Sequence, residues 1–249
     1  APLERVLFVK RHPFEPSHIY TDYTDAPFRP GGGVCVLEVP RRGGRLEPGE
    51  ATITTLFESR DGVARDPAAT FGLEKVYFGY RPSEDGYYHL MAVNADGSGL
   101  AQVTDGPFHD FYPCPLPDGG VAFISTRCTS RVFCFRGGSS VLFRLDPTTG
   151  EIRPISHSSL SEWAPSVRRD GRILWTRWEY MDKGADFTQT LWSIRPDGTH
   201  PEIVFGNTII QPNGYACARE VPGSTEIACT LVSHFGDLNG PIALIDLDR

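Results

Sequence analysis

Basic residues recur at the ends of apolar segments along this 249-residue chain. Four arginines and one histidine occupy equivalent places: Arg11, Arg81, Arg127, Arg177 and His234. A guanidinium group presents a planar fork of donors that matches a carboxylate. The pattern is typical of two arrangements, which the sequence leaves open: ion pairs that fix neighbouring repeats, or a surface that attracts and binds anions.

Acidic and amide residues precede the same apolar segments in the chain, at the start of the stretch before each one. Asp110, Glu162 and Asn213 begin such stretches, and we expect their side chains to face the basic residues. Trp178 and Tyr180 follow one of the arginines, and aromatic side chains of this kind anchor partners in binding surfaces. Together with the basic residues, these five positions form the predicted binding face.

Two groups of residues are candidate metal ligands. Glu179, Asp182 and Asp186 offer oxygen ligands for Ca²⁺ in one loop, although their spacing is not that of an EF-hand, and a solvated acidic loop is the alternative. The second group consists of His109, His157 and His234. If they converged, with Arg127 or Arg177 holding a substrate carboxylate, the chain would be a metal-dependent lyase or hydrolase acting on an anionic saccharide.

The six cysteines carry no CxxC or CxxCH spacing, so a zinc site and a haem attachment motif are not predicted. We expect no cofactor in this segment other than Ca²⁺ at the acidic loop. Cys217 and Cys229 lie symmetrically about a hairpin turn, and Cys128 and Cys134 share one loop. Each pair is a candidate disulfide, and reduced, buried thiols are the alternative.

The residues above fall on a unit that is repeated about five times. Each unit contains apolar, alternating strands joined by glycine turns, as in PDGGVAFISTR (117–127), RDGRILWTR (169–177) and LWSIRPDGTHPEIVFG (191–206). Asp-Gly turns between alternating strands are a strong hairpin signal because glycine readily adopts positive φ. The repeat therefore predicts a series of local, four-stranded antiparallel meanders.

A four-stranded meander repeated about every fifty residues predicts an all-β fold, the β-propeller. We expect a single propeller domain over 1–249, with about five blades at 1–59, 60–106, 107–157, 158–207 and 208–249. The first and last blades each lack room for one strand. The chain is therefore predicted to be part of a longer protein with a six- or seven-bladed ring.

Charge and hydropathy limit the partners. The formal net charge is −7, which disfavours the nucleic-acid backbone as a partner, and no apolar run is long enough to span a membrane. The polar start at Ala1 is typical of a mature or excised fragment. We expect a periplasmic or extracellular protein.

Two stretches carry a resemblance to known families. NADGSGLAQVTDG followed by FYPCPLPDGGVAFISTR resembles the repeat of TolB-like (PD40, WD40-like) propellers. Over nearly its full length, through LSEWAPSVRRDGRILWTRWEYMDKGADF and REVPGSTEIACTLVSHFGDLNGPIALIDL, the chain is similar to the propeller part of planctomycete proteins related to the hydrazine synthase α subunit. The second resemblance implies the structural propeller of a multihaem oxidoreductase, whose haem would be attached elsewhere.

The long segments that follow second strands point to binding as the function. They run over 12–33, 127–140, 178–190 and 234–240, and variable loops on a rigid scaffold are where binding usually resides. We therefore expect a non-catalytic binding and assembly module that docks another domain, a subunit or a small ligand on this face. The lyase and the haem-protein scaffold are the alternatives.

Overall fold

The structure is a computed structural model, and it describes residues 4–13, 27–132, 137–158, 160–183, 189–233 and 240–248. The described residues fall into two compact units. Unit 1 comprises 4–13 and 28–113, and unit 2 comprises Pro27 and the described residues from Cys114 onward. The predicted single domain over 1–249 stays a prediction.

Within the described residues, strands make up nearly all regular structure. In chain order they are β1 (Arg5–Arg11), β2 (Gly32–Glu38), β3 (Arg41–Arg42), β4 (Arg45–Leu46), β5 (Thr52–Ser59), β6 (Val63–Ala69), β7 (Lys75–Arg81), β8 (His89–Asn94), β9 (Ala101–Gln102), β10 (Asp110–Pro115), β11 (Val121–Ser125), β12 (Val141–Leu145), β13 (Ile152–Pro154), β14 (Glu162–Val167), β15 (Ile173–Trp178), β16 (Gln189–Ile194), β17 (Glu202–Phe205), β18 (Gly214–Glu220), β19 (Glu226–Val232) and β20 (Ile242–Asp246). One α-helical turn, α1 (Tyr180–Lys183), and 3₁₀ turns at Pro48–Glu50 and Thr126–Cys128 complete the set.

The strands form consecutive antiparallel meanders. In unit 1, β1-β2-β5 makes three strands and β6-β7-β8-β9 makes four; β10-β11-β12-β13 makes a further four-stranded sheet. In unit 2, β14-β15-β16-β17 and β18-β19-β20 are meanders linked by one parallel pairing, Gln189 with Gly214. Four-stranded antiparallel sheets, as predicted, are thus the building unit of this chain.

Glycine turns connect neighbouring strands as the sequence indicates. At the β10–β11 turn, Gly119 has φ of +87°, and the Asp118 carboxylate accepts a hydrogen bond from the backbone N–H of Gly120 at 3.0 Å. The same chemistry recurs at the β16–β17 turn, where Gly198 has φ of +89° and Asp197 accepts from Thr199 N at 2.9 Å. Because each turn is satisfied locally, each hairpin is specified by its own sequence.

An irregularity recurs in the first strand of four meanders, in β6, β10, β14 and β18. The residues Asp66, Tyr112, Ala164 and Cys217 all have positive φ, between +47° and +53°. The pairing register of β6, β14 and β18 shifts across this residue, which marks a β-bulge. The bulge bends each first strand at the same place and re-aims the side chains that precede it.

Apolar side chains between the strands form each unit's core. In unit 1, Phe78, Leu90 and Val93 are wholly buried. In unit 2, Trp175, Leu174 and Leu191 are buried to the same degree. Side chains alternate along each strand, so these core positions leave the strand ends to carry polar groups.

Candidate functional site

The basic–aromatic cluster of unit 1 lies where β1, β6 and β7 meet the residues around β8 and β10. It consists of Arg11, Arg65, Arg81, Tyr88 and His109 together with the acidic and aromatic residues that they contact. Two of its arginines, Arg11 and Arg81, are predicted site residues at the ends of β1 and β7. Their positive charges both act on the Tyr88 hydroxyl.

Arg65 is the residue of this cluster that sequence reasoning missed. Only 5% of it is exposed, and its guanidinium carbon lies 5.5, 5.1 and 4.8 Å from the ring centroids of Tyr88, Phe111 and Tyr112. Its Nε donates to Asp66 Oδ2 at 2.6 Å. The signal was a basic residue within the apolar segment VARDPAA, which by itself resembles an ordinary solvent-facing arginine.

Arg81 is held against aromatic rings at the end of β7. Its guanidinium carbon lies 5.4 Å from the Phe28 ring centroid and 5.9 Å from that of Tyr88. Its Nε donates to the Gly86 carbonyl at 3.0 Å, and its Nη2 donates to the Glu84 carbonyl. Stacking on aromatic faces leaves the charge of a guanidinium intact while fixing its position.

Electrostatics in this cluster are dominated by burial and by the arginines. Burial raises the pKa of the Tyr88 phenol, and the charges of Arg65 and Arg81 oppose that rise. Burial, together with the positive charge of Arg81, lowers the pKa of His109 to about 4. His109 Nδ1 accepts a hydrogen bond from Tyr88 N at 3.2 Å, so the neutral ring carries its proton on Nε2. His109 is therefore an uncharged group at neutral pH.

Asp110 lies beside this cluster as the first residue of β10. It is wholly buried, its backbone N–H donates to Tyr88 O at 2.7 Å, and its Oδ2 lies 3.6 Å from His89 Nδ1. Of the two carboxylates in the cluster, Asp66 pairs with the buried Arg65, and Asp110 is hidden from solvent beside His89. Arg11 is exposed and Arg81 is half-buried, so these two arginines carry the positive charge that the cluster presents to solvent.

In unit 2, the corresponding feature is a pair of predicted site residues, Glu162 and Arg177. They are directly opposite each other on β14 and β15. Glu162 is wholly buried: its Oε1 accepts from Ser156 Oγ at 2.6 Å and its Oε2 accepts from Leu142 N at 2.8 Å. Burial raises the pKa of Glu162 to about 7, against the opposing effects of these hydrogen bonds and of Arg177. The Arg177 guanidinium stacks 4.5 Å from the Trp192 ring.

The other predicted site residues are placed as follows. Arg127 lies in the 3₁₀ turn after β11, and its backbone N–H donates to Ser125 Oγ at 3.1 Å. Asn213 stands one residue before β18, and its carbonyl accepts from Gln189 N. Aligned on the bulge, Tyr215 rather than Asn213 occupies the place of Asp110 and Glu162.

Trp178 and Tyr180 differ in exposure. Trp178 is 1% exposed within β15, so it packs in the interior instead of presenting its ring to a partner. Tyr180 is half-buried at the start of α1, with its ring centroid 4.9 Å from that of Trp178. Of the two, only Tyr180 presents part of its side chain to solvent.

The predicted metal ligands are only partly described. His234 and Asp186 lie outside the described residues, as does the side chain of Asp182. Glu179 Oε2 accepts from Lys183 Nζ at 2.5 Å and from Thr190 Oγ1 at 2.7 Å, and His157 is exposed. The described part of the chain contains no cluster of three His, Cys, Asp or Glu residues arranged to hold a metal ion.

The described cysteines are thiols and do not form the disulfides that the sequence made candidates. Cys217 and Cys229 are both reduced: Cys217 is exposed in the bulge of β18, while Cys229 is buried on β19. The pairing register of β18 and β19 shifts between Ala216 and Arg219, and the two thiols differ in burial, so they are not placed opposite each other as a bridge requires. Cys128 is also a thiol and donates to the Ser139 carbonyl at 3.2 Å, while Cys134 lies outside the described residues.

Comparison with solved structures defines the class of this chain: it has the β-propeller fold. Its whole length superposes on hydrazine synthase from Kuenenia stuttgartiensis, with a TM-score of 0.74 and 17% identity, over 38% of that chain. TolB from Acinetobacter baumannii matches 98% of this chain and 51% of its own, with a TM-score of 0.65 and 14% identity.

Enzymes share the same fold. Oligogalacturonate lyase from Vibrio parahaemolyticus matches 97% of this chain and 62% of its own, with a TM-score of 0.53 and 13% identity. This chain thus spans between about a third and two thirds of these neighbours. No family model and no curated protein matches the sequence. No helix among the described residues has the length and apolar character needed to cross a bilayer.

Proposed function

We propose that this chain is a non-catalytic binding module of an exported protein, periplasmic or extracellular, and that it docks an acidic segment of another domain or subunit on the basic–aromatic cluster. The observation that supports the proposal is the meeting of Arg11 and Arg81, from the ends of β1 and β7, around the buried Tyr88.

The composition of the cluster suits a protein partner. Arginine and tyrosine are enriched among the residues that dominate binding energy at interfaces. Here the Arg81 side chain is already held in place by stacking on Phe28. It therefore loses less conformational entropy on binding than a mobile surface cation would. Tyr87 is 39% exposed beside His109 and extends the aromatic surface. An acidic segment with apolar residues would contact both features.

The chemistry of His109 supports binding over catalysis. Its pKa of about 4 and its Nδ1 bond to Tyr88 N keep the ring neutral, with that nitrogen already occupied. A general base needs a pKa near the working pH and an accessible lone pair. His109 lacks both.

The test uses the full-length protein and a fluorescein-labelled peptide of alternating Glu and Leu, read by fluorescence anisotropy. We expect saturable binding that weakens about tenfold in Arg81→Gln, because one charge-assisted contact at an interface contributes on the order of 1–3 kcal/mol. Arg195→Gln, an exposed arginine of unit 2, is the matched control and should bind like the wild type. Binding that is equal in both variants would reject the assignment to this cluster.

The second candidate is a lyase or hydrolase acting on an anionic saccharide, and the fold of oligogalacturonate lyase favours it. Incubation with oligogalacturonate and chromatography of the products decides between the two. Cleavage that Arg81→Gln abolishes would replace the binding proposal, while an unchanged oligosaccharide alongside peptide binding supports it. The assembly role also agrees with the third alternative, the structural propeller of a multihaem oxidoreductase, which the sequence resemblance to hydrazine synthase proteins implies.

A further inference from the structure

A polar groove of unit 2 opens among three glycine turns and has no part in the proposed function. Its volume is about 480 Å³, which lies within the range of small-molecule sites. The turns are β10–β11, β14–β15 and β16–β17, so the groove lies at the start of β15, whereas Arg177 lies near the end of that strand. The charged side chains that line it are three arginines and three aspartates: Arg144, Arg172, Arg195, Asp118, Asp170 and Asp197.

Arg144 connects the two sides of the groove. From β12, its Nη1 donates to Asp118 Oδ2 at 2.9 Å in the β10–β11 turn and to Pro196 O at 3.4 Å in the β16–β17 turn. Only 19% of its side chain is exposed. Because this contact joins consecutive meanders, the groove is formed by the folded unit itself and needs little ordering when a ligand binds.

Guanidinium donors remain unused along this groove. Arg172 Nη1 contacts Ser193 Oγ at 3.3 Å and the Glu202 carboxylate, and Arg144 uses only its Nη1. Within the ranges that the structure describes, the Nε and Nη2 of both arginines make no hydrogen bond. The same holds there for the whole guanidinium of Arg195, which is exposed. The groove therefore offers donors to a ligand.

Carboxylate acceptors remain unused as well. Each of the three aspartates uses its Oδ1 for its own turn, accepting from a backbone N–H at 3.0, 3.0 and 2.9 Å. Arg144 takes the Oδ2 of Asp118. In the described part of the chain, the Oδ2 atoms of Asp170 and Asp197 accept no hydrogen bond, and Arg168 Nη1, at 4.0 Å from the former, is beyond hydrogen-bond distance.

One of the free donors lies close to a free acceptor. Hydrogen bonds from Thr199 lower the pKa of Asp197, and the positive charges of Arg195 and His200 contribute to that lowering. A charge has such an effect on a carboxyl group from within about 4–6 Å. Arg195 and Asp197 can therefore contact neighbouring atoms of one small ligand.

This combination determines the class of ligand. A guanidinium only donates and a carboxylate only accepts, whereas a hydroxyl does both and satisfies either partner. The charges of the lining residues cancel, three positive against three negative, so neither an anion nor a cation is favoured. Several adjacent hydroxyls on one small uncharged ring are the chemistry of a neutral sugar.

We propose that this groove binds a neutral saccharide, whose hydroxyls accept hydrogen bonds from Arg172 and Arg195 and donate to Asp170 and Asp197. Hydrogen bonds to charged groups are the strong ones, and each of these four contacts is of that kind. Pro196 supplies apolar surface for the carbon atoms of the sugar ring. Free monosaccharides and the sugar units of a polysaccharide share this chemistry.

The experiment is saturation-transfer difference NMR of the full-length protein, titrated with glucose, galactose and mannose. We expect saturable transfer to at least one hexose, and Arg195→Gln and Asp197→Asn should each weaken it at least about tenfold. Asparagine keeps the turn, because its Oδ1 still accepts from Thr199 N, and only the free acceptor is lost. The matched control is Asp146→Asn in the β12–β13 turn, where Oδ1 accepts from Thr148 N at 2.8 Å away from the groove, and its affinity should equal that of the wild type.

Related sugars test the chemistry of the ligand. Galacturonate and glucosamine carry a charge and should bind no more tightly than galactose and glucose, because the charges of the groove cancel. Maltose and lactose distinguish the two sources: tighter binding than that of the hexoses supports a polysaccharide unit, and equal binding supports a free monosaccharide.

Three outcomes would overturn the proposal: no saturable transfer to any of the three hexoses, equal affinity in the wild type and in Asp197→Asn, or tighter binding of a charged sugar. Chemical denaturation of each variant confirms that it is folded before titration. Arg81→Gln, which should weaken binding of the acidic peptide to unit 1, should leave hexose binding unchanged. The two proposals therefore fail independently.

Discussion

Glu162 Oε2 accepts a hydrogen bond from Leu142 N at 2.8 Å, which ties a wholly buried carboxyl group on β14 to the start of β12. Ser156, after β13, donates to the other oxygen. A single side chain thus connects two consecutive meanders of unit 2. The connection depends on a group that titrates near neutral pH.

Stability of unit 2 should depend on pH through Glu162. Its pKa is raised from 4.5 to about 7 in the folded protein, so the folded state binds the proton more tightly than the unfolded state. The free energy of unfolding therefore falls as the pH rises from about 4.5 through about 7, by at most about 3 kcal/mol. Urea denaturation at pH 5 and pH 8 measures the difference.

Glu162→Gln should remove most of this pH dependence, because the amide does not titrate. The control is Glu151→Gln, at an exposed turn residue, which should retain the wild-type dependence. An equal loss of stability between pH 5 and pH 8 in the wild type and in Glu162→Gln would contradict the prediction.

Replacing Arg65 should destabilise unit 1 strongly. Arg65→Ala removes a guanidinium that packs against three aromatic rings and breaks the ion pair with Asp66, whose carboxylate keeps only the hydrogen bond from Tyr112 N among those described. Losing one partner of a buried ion pair costs about 3–5 kcal/mol. The matched control is Arg5→Ala, whose ion pair with Glu38 is exposed and contributes less than about 1 kcal/mol. Urea denaturation followed by circular dichroism compares the two variants. Similar losses in the free energy of unfolding would contradict a stabilising contribution from the packing of Arg65 against the aromatic rings.

Because Ala164 has positive φ, replacing it by glycine should not lower the stability of the protein as an alanine-to-glycine substitution in a strand usually does. At an ordinary strand position such as Ala122, glycine lowers stability by about 1 kcal/mol. At Ala164, with φ of +47°, Ala164→Gly should be neutral or stabilising because it removes backbone strain. Ala164→Val should lower stability by more than about 2 kcal/mol. Glycine costs of the same size at both positions, in chemical denaturation, would argue against the bulge.

Cys217 should be the fast-reacting thiol of the described cysteines. It is exposed, whereas burial raises the pKa of Cys114 to about 12 and that of Cys229 to about 11. A thiolate is the reactive form, so buried thiols react only on unfolding. Labelling with a disulfide reagent, followed by peptide mass mapping, should modify Cys217 first in the native protein. Equal labelling of Cys229 would mean that β19 is open.

The meanders could be predicted because their information is local. Asp118 and Gly119 satisfy their own turn, and alternation in the flanking strands needs no distant partner. The gathering of the strand-end arginines on one face, expected from their equivalent places in the repeat, stays a prediction. What makes the site chemically distinct did not follow, since Arg65 gains its role only from rings on other strands.

The bulge was missed for a different reason. Its positive-φ position is filled by Asp66, Tyr112, Ala164 and Cys217, which share no side-chain chemistry. A proline follows three of the four, and this is the one trace that it leaves in the sequence. Conformation recurs here without identity of residues, so a pattern search based on residue type does not detect it.

The division into two units coincides with an uneven distribution of fluorophores. All four tryptophans, at positions 163, 175, 178 and 192, belong to unit 2. Tryptophan fluorescence therefore reports on unit 2 alone, while far-ultraviolet circular dichroism reports on the secondary structure of both units. Superimposable melting profiles from the two signals would mean that the halves unfold as one cooperative body, and separated profiles would resolve two foldons.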